Sequence, residues 1–208
     1  MNLREKKIFF DVGPVKIEGL LGLREGDRAA VISHPHPLYG GTMYNNVVEA
    51  LVEAFQSMGF TTLRFNFRGV GESTGDHDEG IGEMRDVEAA VSYVRDRGKT
   101  GVTLVGYSFG AWVNARLNHK VKLDDSILIA PPVSYFSFDF IGKQNHFGLV
   151  VCGDHDAFCE VETLQHQLAK CGTKGVLKIM PDTDHFLVGR EEELKKIVKQ
   201  YVSPPPYL

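Results

Sequence analysis

Two rhythms of hydrophobic positions divide the chain. Over residues 7–23 apolar and polar positions alternate around a Gly13-Pro14 turn, with Ile8, Phe10 and Val12 before it and Val15, Ile17, Leu20, Leu21 and Leu23 after it. A period of two belongs to half-buried strands, so this stretch predicts an antiparallel strand pair. From residue 29 short continuous apolar runs take over, at 29–32, 62–67, 102–105, 126–129, 147–151 and 176–179. Between them lie stretches with helical spacing. Residues 44–57 put Val47, Val48, Leu51, Val52 and Phe55 on one face, and 82–97 put Met84, Val87, Val91 and Val94 on another. Further helical stretches follow at 109–118, 160–170 and 190–202. Strands that are apolar throughout and joined by helices form a mostly parallel sheet covered on both faces. The expected fold class is α/β, with an antiparallel N-terminal strand pair leading into that sheet.

Length and charge narrow the picture. The 208 residues fit one domain, 1–208, with the proline-rich 202–208 as a surface tail. Lys and Arg number 23 against 27 Asp and Glu, a net charge of −4, so there is no basic surplus to point to nucleic acid. No run is long and apolar enough for a membrane span, and the start is charged. Cys152, Cys159 and Cys171 have no CxxC spacing and read as free thiols of a cytoplasmic protein. The expected partner is a small molecule, with neither nucleic acid nor membrane; a homodimer is left open.

In an open α/β sheet ligands bind beyond the carboxyl ends of the strands. After the run at 102–105 comes Gly106-Tyr107-Ser108-Phe109-Gly110, followed by a helical pattern. This is a G-x-S-x-G nucleophile elbow in its strand–turn–helix context. A serine hydroxyl needs a base to become a nucleophile, usually a histidine held by a carboxylate. Of the histidines downstream, His119 and His166 fall in or beside helices and His146 opens a strand. His155 stands between two aspartates. His185 follows the last strand and precedes the last helix, where a loop can bring it to the elbow. For the acid, Asp156 lies further beyond its strand end than Asp154, which better suits a backbone-tying role; Asp184 is a third choice. An oxyanion needs two N–H donors. One expectation is Phe109, after the nucleophile; the other comes from His34-Pro35-His36-Pro37-Leu38-Tyr39-Gly40-Gly41-Thr42-Met43. The prolines have no N–H, leaving Leu38 first and Tyr39 second.

These motifs, with Gly153-Asp-His-Asp156 and Asp184-His185-Phe186, resemble the α/β-hydrolase superfamily in type and order. The run His34–Met43 with Asn46, and Phe65-Asn-Phe-Arg-Gly-Val-Gly-Glu-Ser73, are similar to the small, capless, serine-type bacterial hydrolases related to dienelactone hydrolase. The resemblance runs from about residue 15 to 202. It implies an α/β-hydrolase fold without a cap domain. It implies Ser108, Asp156 and His185 as a triad, and Leu38 and Phe109 as the oxyanion hole. The activity implied is cleavage of a small ester or thioester without a cofactor. Dienelactone hydrolases carry a cysteine nucleophile where this chain has Ser108, which turns the expectation away from their substrate.

Other readings use the same loops. The transfer of an acyl group to an acceptor other than water would use the same triad. A metallohydrolase would recruit His34, His36, Asp154, Asp156 and His185, whose N/O ligands lie at strand ends. A binding module on this fold would ordinarily lack a triad member. Gly98-Lys99-Thr100 is no phosphate loop, since Tyr93 stands where the first glycine is required. The segment between 130 and 141 is too short for a helical lid. Its Phe136 and Phe138 are expected to wall an acyl pocket with Tyr39, Phe158 and Phe186.

Overall fold

The computed structural model describes residues 5–118, 120–172 and 175–203. In chain order the elements are β1 (Lys6–Val12), β2 (Val15–Gly22), β3 (Arg28–Ser33), α1 (Asn46–Ser57), β4 (Thr61–Phe65), α2 (Ile81–Arg95) and β5 (Gly101–Tyr107). They continue with α3 (Phe109–Leu117), β6 (Asp125–Ile129), β7 (Leu149–Gly153), α4 (Val161–Leu168), β8 (Val176–Met180) and α5 (Glu191–Val202). All eight strands join one sheet in the order β1-β2-β4-β3-β5-β6-β7-β8. β2 pairs antiparallel with both β1 and β4, and every other pairing is parallel. Each expected strand and helix is present. Val202 closes α5, so the tail begins one residue later than its expected start, and residues 204–208 lie outside the described residues.

Alternation across the sheet explains why the central strands are apolar throughout. Ala30 and Ile32 of β3 point into a core under α1 and α5, while Ala29 and Val31 point into a second core under α2. A third core lies where α3 and α4 pack on β6 and β7, around Leu128, Val150 and Leu164. β8 departs from the two-sided burial its composition suggests. It is the edge of the sheet, and Val176 and Ile179 are 41% and 43% exposed. β4 stops at Phe65, short of the expected residue 67. Asn66 still donates its N–H to Glu18 O (2.9 Å), but the Phe67 N–H turns to the imidazole Nε2 of His34 (3.0 Å).

Among the described residues the β6–β7 connection holds no helix, and nothing is laid over the carboxyl edge as a cap. No helix of the described residues is long and apolar enough to cross a membrane.

Candidate active site

The turn between β5 and α3 is a close crossing of strand, helix and the end of β3. Ser108 has φ +54° and ψ −119°, a conformation that costs an L residue strain. Its neighbours at two positions either side are small by necessity. A Cβ on Gly106 would lie 2.5 Å from Gly110 O, and one on Gly110 would lie 2.6 Å from Ser33 O. Side chains there would drive strand, helix and the end of β3 apart. The Ser108 N–H donates to Ile129 O (2.9 Å) and its carbonyl accepts from Trp112 N–H (3.1 Å), tying the turn to β6 and α3.

Three residues from three loops meet at this point. Ser108 Oγ lies 2.9 Å from His185 Nε2, and His185 Nδ1 lies 2.9 and 2.8 Å from the two carboxylate oxygens of Asp156. All three are less than a tenth exposed. With a carboxylate at Nδ1, the proton of the neutral ring is assigned there, which leaves Nε2 as the acceptor facing the hydroxyl.

The three downstream aspartates divide their tasks. Asp156 faces the histidine, and its Oδ1 also accepts the N–H groups of Phe158 (2.8 Å) and Cys159 (3.0 Å). Asp154 Oδ1 accepts the Thr183 N–H (3.3 Å), joining the loop after β7 to the loop after β8. Asp184 Oδ1 accepts from Phe186 and Leu187 (3.0 and 3.2 Å), closing the turn that presents His185. The Tyr107 hydroxyl donates to His185 O (2.9 Å) and fixes that loop from below. His146, His155 and His166 are exposed, and His119 lies outside the described residues.

The loop after β3 folds tightly on itself at Gly41, where a Cβ would lie 2.1 Å from Pro35 O, and is tied to the rest of the molecule by side chains. His34 is fully buried, with Nδ1 2.6 Å from Pro35 O and Nε2 accepting the Phe67 N–H. Burial pushes its pKa down to about 4, so the ring is neutral and its tautomer fixed. At the far end of the loop, Asn66 Oδ1 accepts the Met43 N–H (2.9 Å), while Asn66 Nδ2 donates to buried Glu18 (2.8 Å). Asn46 Nδ2 donates to Phe186 O (3.3 Å) and Glu191 (2.8 Å), linking α1 to the His185 loop. No role was expected for Glu18, Asn66 or Asn46. The available signal was a carboxylate inside an apolar strand and an amide at another strand's end.

Between these pins, Pro37–Tyr39 forms one 3-10 turn. Here both expected donors already have acceptors: the Leu38 N–H donates to His36 Nδ1 (3.2 Å) and the Tyr39 N–H to His36 O (3.1 Å). Phe109, by contrast, is the first residue of α3, where an N–H has no acceptor within the helix.

Aromatic rings gather around Phe109 and around His185, the two groups next to Ser108. At the first, His36 lies 4.6 Å from Phe109 and 4.8 Å from Tyr39, and Phe136 lies 4.6 Å from Trp112 and 5.9 Å from Phe109. At the second, Phe158 lies 4.6 Å from His185 and stacks on Tyr135 at 4.7 Å, with Phe186 edge-on to His185 at 5.8 Å. Phe138 belongs to neither wall, which corrects its expected place in the pocket. It is 2% exposed and packed with Leu128, Phe147 and Val150 in the third core. A cavity of about 660 Å³ lies at the opposite end of the strands from the serine, at the amino ends of β6–β8 beside Asp125 and Tyr201. Of the five side chains of the metal reading Asp156 and His185 meet, but among the described residues no three His, Cys, Asp or Glu are placed to hold an ion.

A sheet of this strand order with a strained serine at the β5–α3 turn defines the lidless α/β-hydrolase class. The chain belongs to the alpha/beta hydrolase family, whose pattern it matches over residues 31–147. It is 32% identical to an uncharacterized protein of Rickettsia prowazekii (strain Madrid E), over 94% of this chain and 88% of that one. Among solved structures it is similar to an alpha-beta serine hydrolase homologue from Coxiella burnetii, with TM-score 0.88, 32% identity, and 95% and 97% of the two chains covered. A Xanthomonas campestris serine hydrolase described as lacking a lid gives TM-score 0.88 and 30% identity over 100% and 98% of the chains.

Proposed function

We propose that this hydrolase cleaves small carboxylic esters or thioesters through an acyl-enzyme on Ser108. The observation that carries the reading is the hydrogen-bonded row Ser108–His185–Asp156 at a strained turn. The Coxiella and Xanthomonas relatives, both described as serine hydrolases, support it.

In this mechanism His185 Nε2 takes the proton from Ser108 Oγ as the oxygen attacks the substrate carbonyl. The carbonyl oxygen becomes an oxyanion against the Phe109 N–H at the start of α3, where the helix dipole adds to the hydrogen bond. Leu38 supplies the second donor when its N–H exchanges His36 Nδ1 for the oxyanion. Asp156 holds the Nδ1 proton and stabilises the imidazolium. That imidazolium gives its proton to the departing alcohol or thiol, and the carbon–oxygen or carbon–sulfur bond breaks. Water then repeats the sequence on the acyl-enzyme and releases the acid.

A fluorophosphonate probe, which reacts with an activated serine, tests the assignment. Labelling is expected for the native chain and is expected to vanish in Ser108→Ala. Labelling that persists in the variant would move the nucleophile elsewhere.

A further inference from the structure

Six segments carry the chain across the carboxyl edge of the sheet: 34–45, 66–80, 106–110, 130–141, 153–162 and 181–189. Five of them contain no lysine or arginine. The sixth contains Arg68, which is 8% exposed and held by both carboxylate oxygens of Asp86. The chain is not short of cations, since it has 23 Lys and Arg. They lie elsewhere. Acidic residues are the reverse: eleven of the 27 fall in these six segments. Asp154, Glu160, Asp182 and Asp184 on the two loops that carry Asp156 and His185, and Glu162 in the first turn of α4, are exposed. A depression of about 450 Å³ beside Asp156 is lined by Asp154, Glu160 and Glu162 along with Ser134. The remaining wall is aromatic, with Tyr39, Tyr135 and Phe186 at 87%, 69% and 57% exposure.

Seating an anionic group requires an Arg fork, a Lys, or a cluster of N–H donors. Around Ser108 the start of α3 offers such donors, and the oxyanion occupies them. The exposed carboxylates also impose a negative potential on approach. Resting on the serine-hydrolase reading, we propose that the site takes esters whose acyl and alcohol parts are neutral or cationic. It excludes carboxylate-bearing acyl groups and phosphate-bearing leaving groups. Small neutral esters, rather than thioesters of coenzyme A, are then the substrate class.

Two phosphonate probes with one leaving group and one chain length test this on the full chain. One chain ends in a methyl group, the other in a carboxylate. At about 10 mM salt, where charges interact over about 30 Å, the neutral probe should label Ser108 about 10- to 100-fold faster. At about 1 M salt, where the range is about 3 Å, the gap should close to a few-fold. Glu162→Lys should narrow the gap at low salt. In turnover, a butyryl thioester of N-acetylcysteamine should be cleaved and butyryl coenzyme A should not. Equal labelling by the two probes at low salt, or equal turnover of the two thioesters, overturns the proposal while leaving the nucleophile assigned. Labelling by neither probe, or labelling that survives Ser108→Ala, overturns the serine reading itself.

Discussion

In the proposed mechanism two loops supply N–H groups to one oxyanion, and the two loops are held in different ways. The elbow, 106–110, is fixed by close approach of backbone to backbone. Added Cβ atoms on either glycine would fall within 2.6 Å of main-chain oxygens, and no rotamer change can relieve that. The loop 34–43 has a close approach of its own, since a Cβ on Gly41 would lie 2.1 Å from Pro35 O, but that contact is internal to the loop. What ties the loop to the rest of the molecule is polar bonds to partners distant in sequence: His34 to Phe67, and Met43 to Asn66. The elbow's donor comes from a helix start without an intrahelical acceptor, whereas the loop's donor is engaged by His36. Leu38 is also 69% exposed, so the turn that carries it is little constrained by packing. On the proposed mechanism, one half of the oxyanion site is therefore set by sterics as the chain folds. The other half is a hydrogen bond that can exchange partners, so its contribution depends on what binds.

The largest effect should come from breaking the steric half. Gly110→Ala sets a Cβ 2.6 Å from Ser33 O and 2.7 Å from His34 O. Overpacking of this kind costs about 1–3 kcal/mol, and more where only backbone can move. A fall in unfolding free energy of about 3 kcal/mol in urea is expected, with labelling at Ser108 lost. The matched change in the loop is Gly40→Ala. Gly40 has φ +80° but nothing within 4 Å of the added atom, so the cost is conformational alone, about 1–2 kcal/mol. Equal losses from the two variants would mean that the elbow is no tighter than the open turn at Gly40.

The exchangeable half is sharpened by deleting single N–H groups. Replacing Leu38 by its α-hydroxy acid turns that amide into an ester and leaves the side chain intact. If Leu38 feeds the oxyanion, kcat should fall by about 10²–10³ with KM little changed, the usual loss for one oxyanion donor. The same replacement at Tyr39, whose N–H donates to His36 O, should cost less than about tenfold. The reverse order would hand the donor to Tyr39.

This contrast also explains what could be read in the sequence. The elbow was legible because its requirement is local: two glycines flank a serine between a strand and a helix, and sterics permit little else. The period-two pattern at 7–23 and the apolar runs after it were legible for the same reason, since burial acts residue by residue. The choice among Asp154, Asp156 and Asp184 was harder, because it turns on which carboxylate faces a loop 29 residues away from Asp156. The framework of the 34–43 loop was not legible. Glu18, Asn66 and Asn46 act through partners 23 to 145 positions distant, and a polar residue in or beside an apolar strand marks a position without naming its partner. Phe138 misled because an aromatic run on a loop resembles a pocket wall. Its ring instead fills the core between α3 and β7.

The smallest effect at neutral pH, and the most specific, concerns the pin at the start of the loop. His34 titrates near 4 in the folded chain because it is fully buried, against about 6.5 when unfolded. Between those values the unfolded chain binds the extra proton and the folded chain does not, so stability falls as the pH drops from 6.5 toward 4. By pH 4.5 the loss from this one group is about 2.5 kcal/mol. His34→Gln keeps one acceptor for the Phe67 N–H and one donor for Pro35 O but cannot titrate. At pH 7 the variant should be about 1 kcal/mol less stable and at most several-fold less active, since the loop keeps a weaker pin. In urea titrations at pH 7 and 4.5 the native chain should lose about 2.5 kcal/mol more than the variant does. If both chains lose the same amount, His34 is not held neutral, and the loop is fixed by Asn66 and its glycines instead.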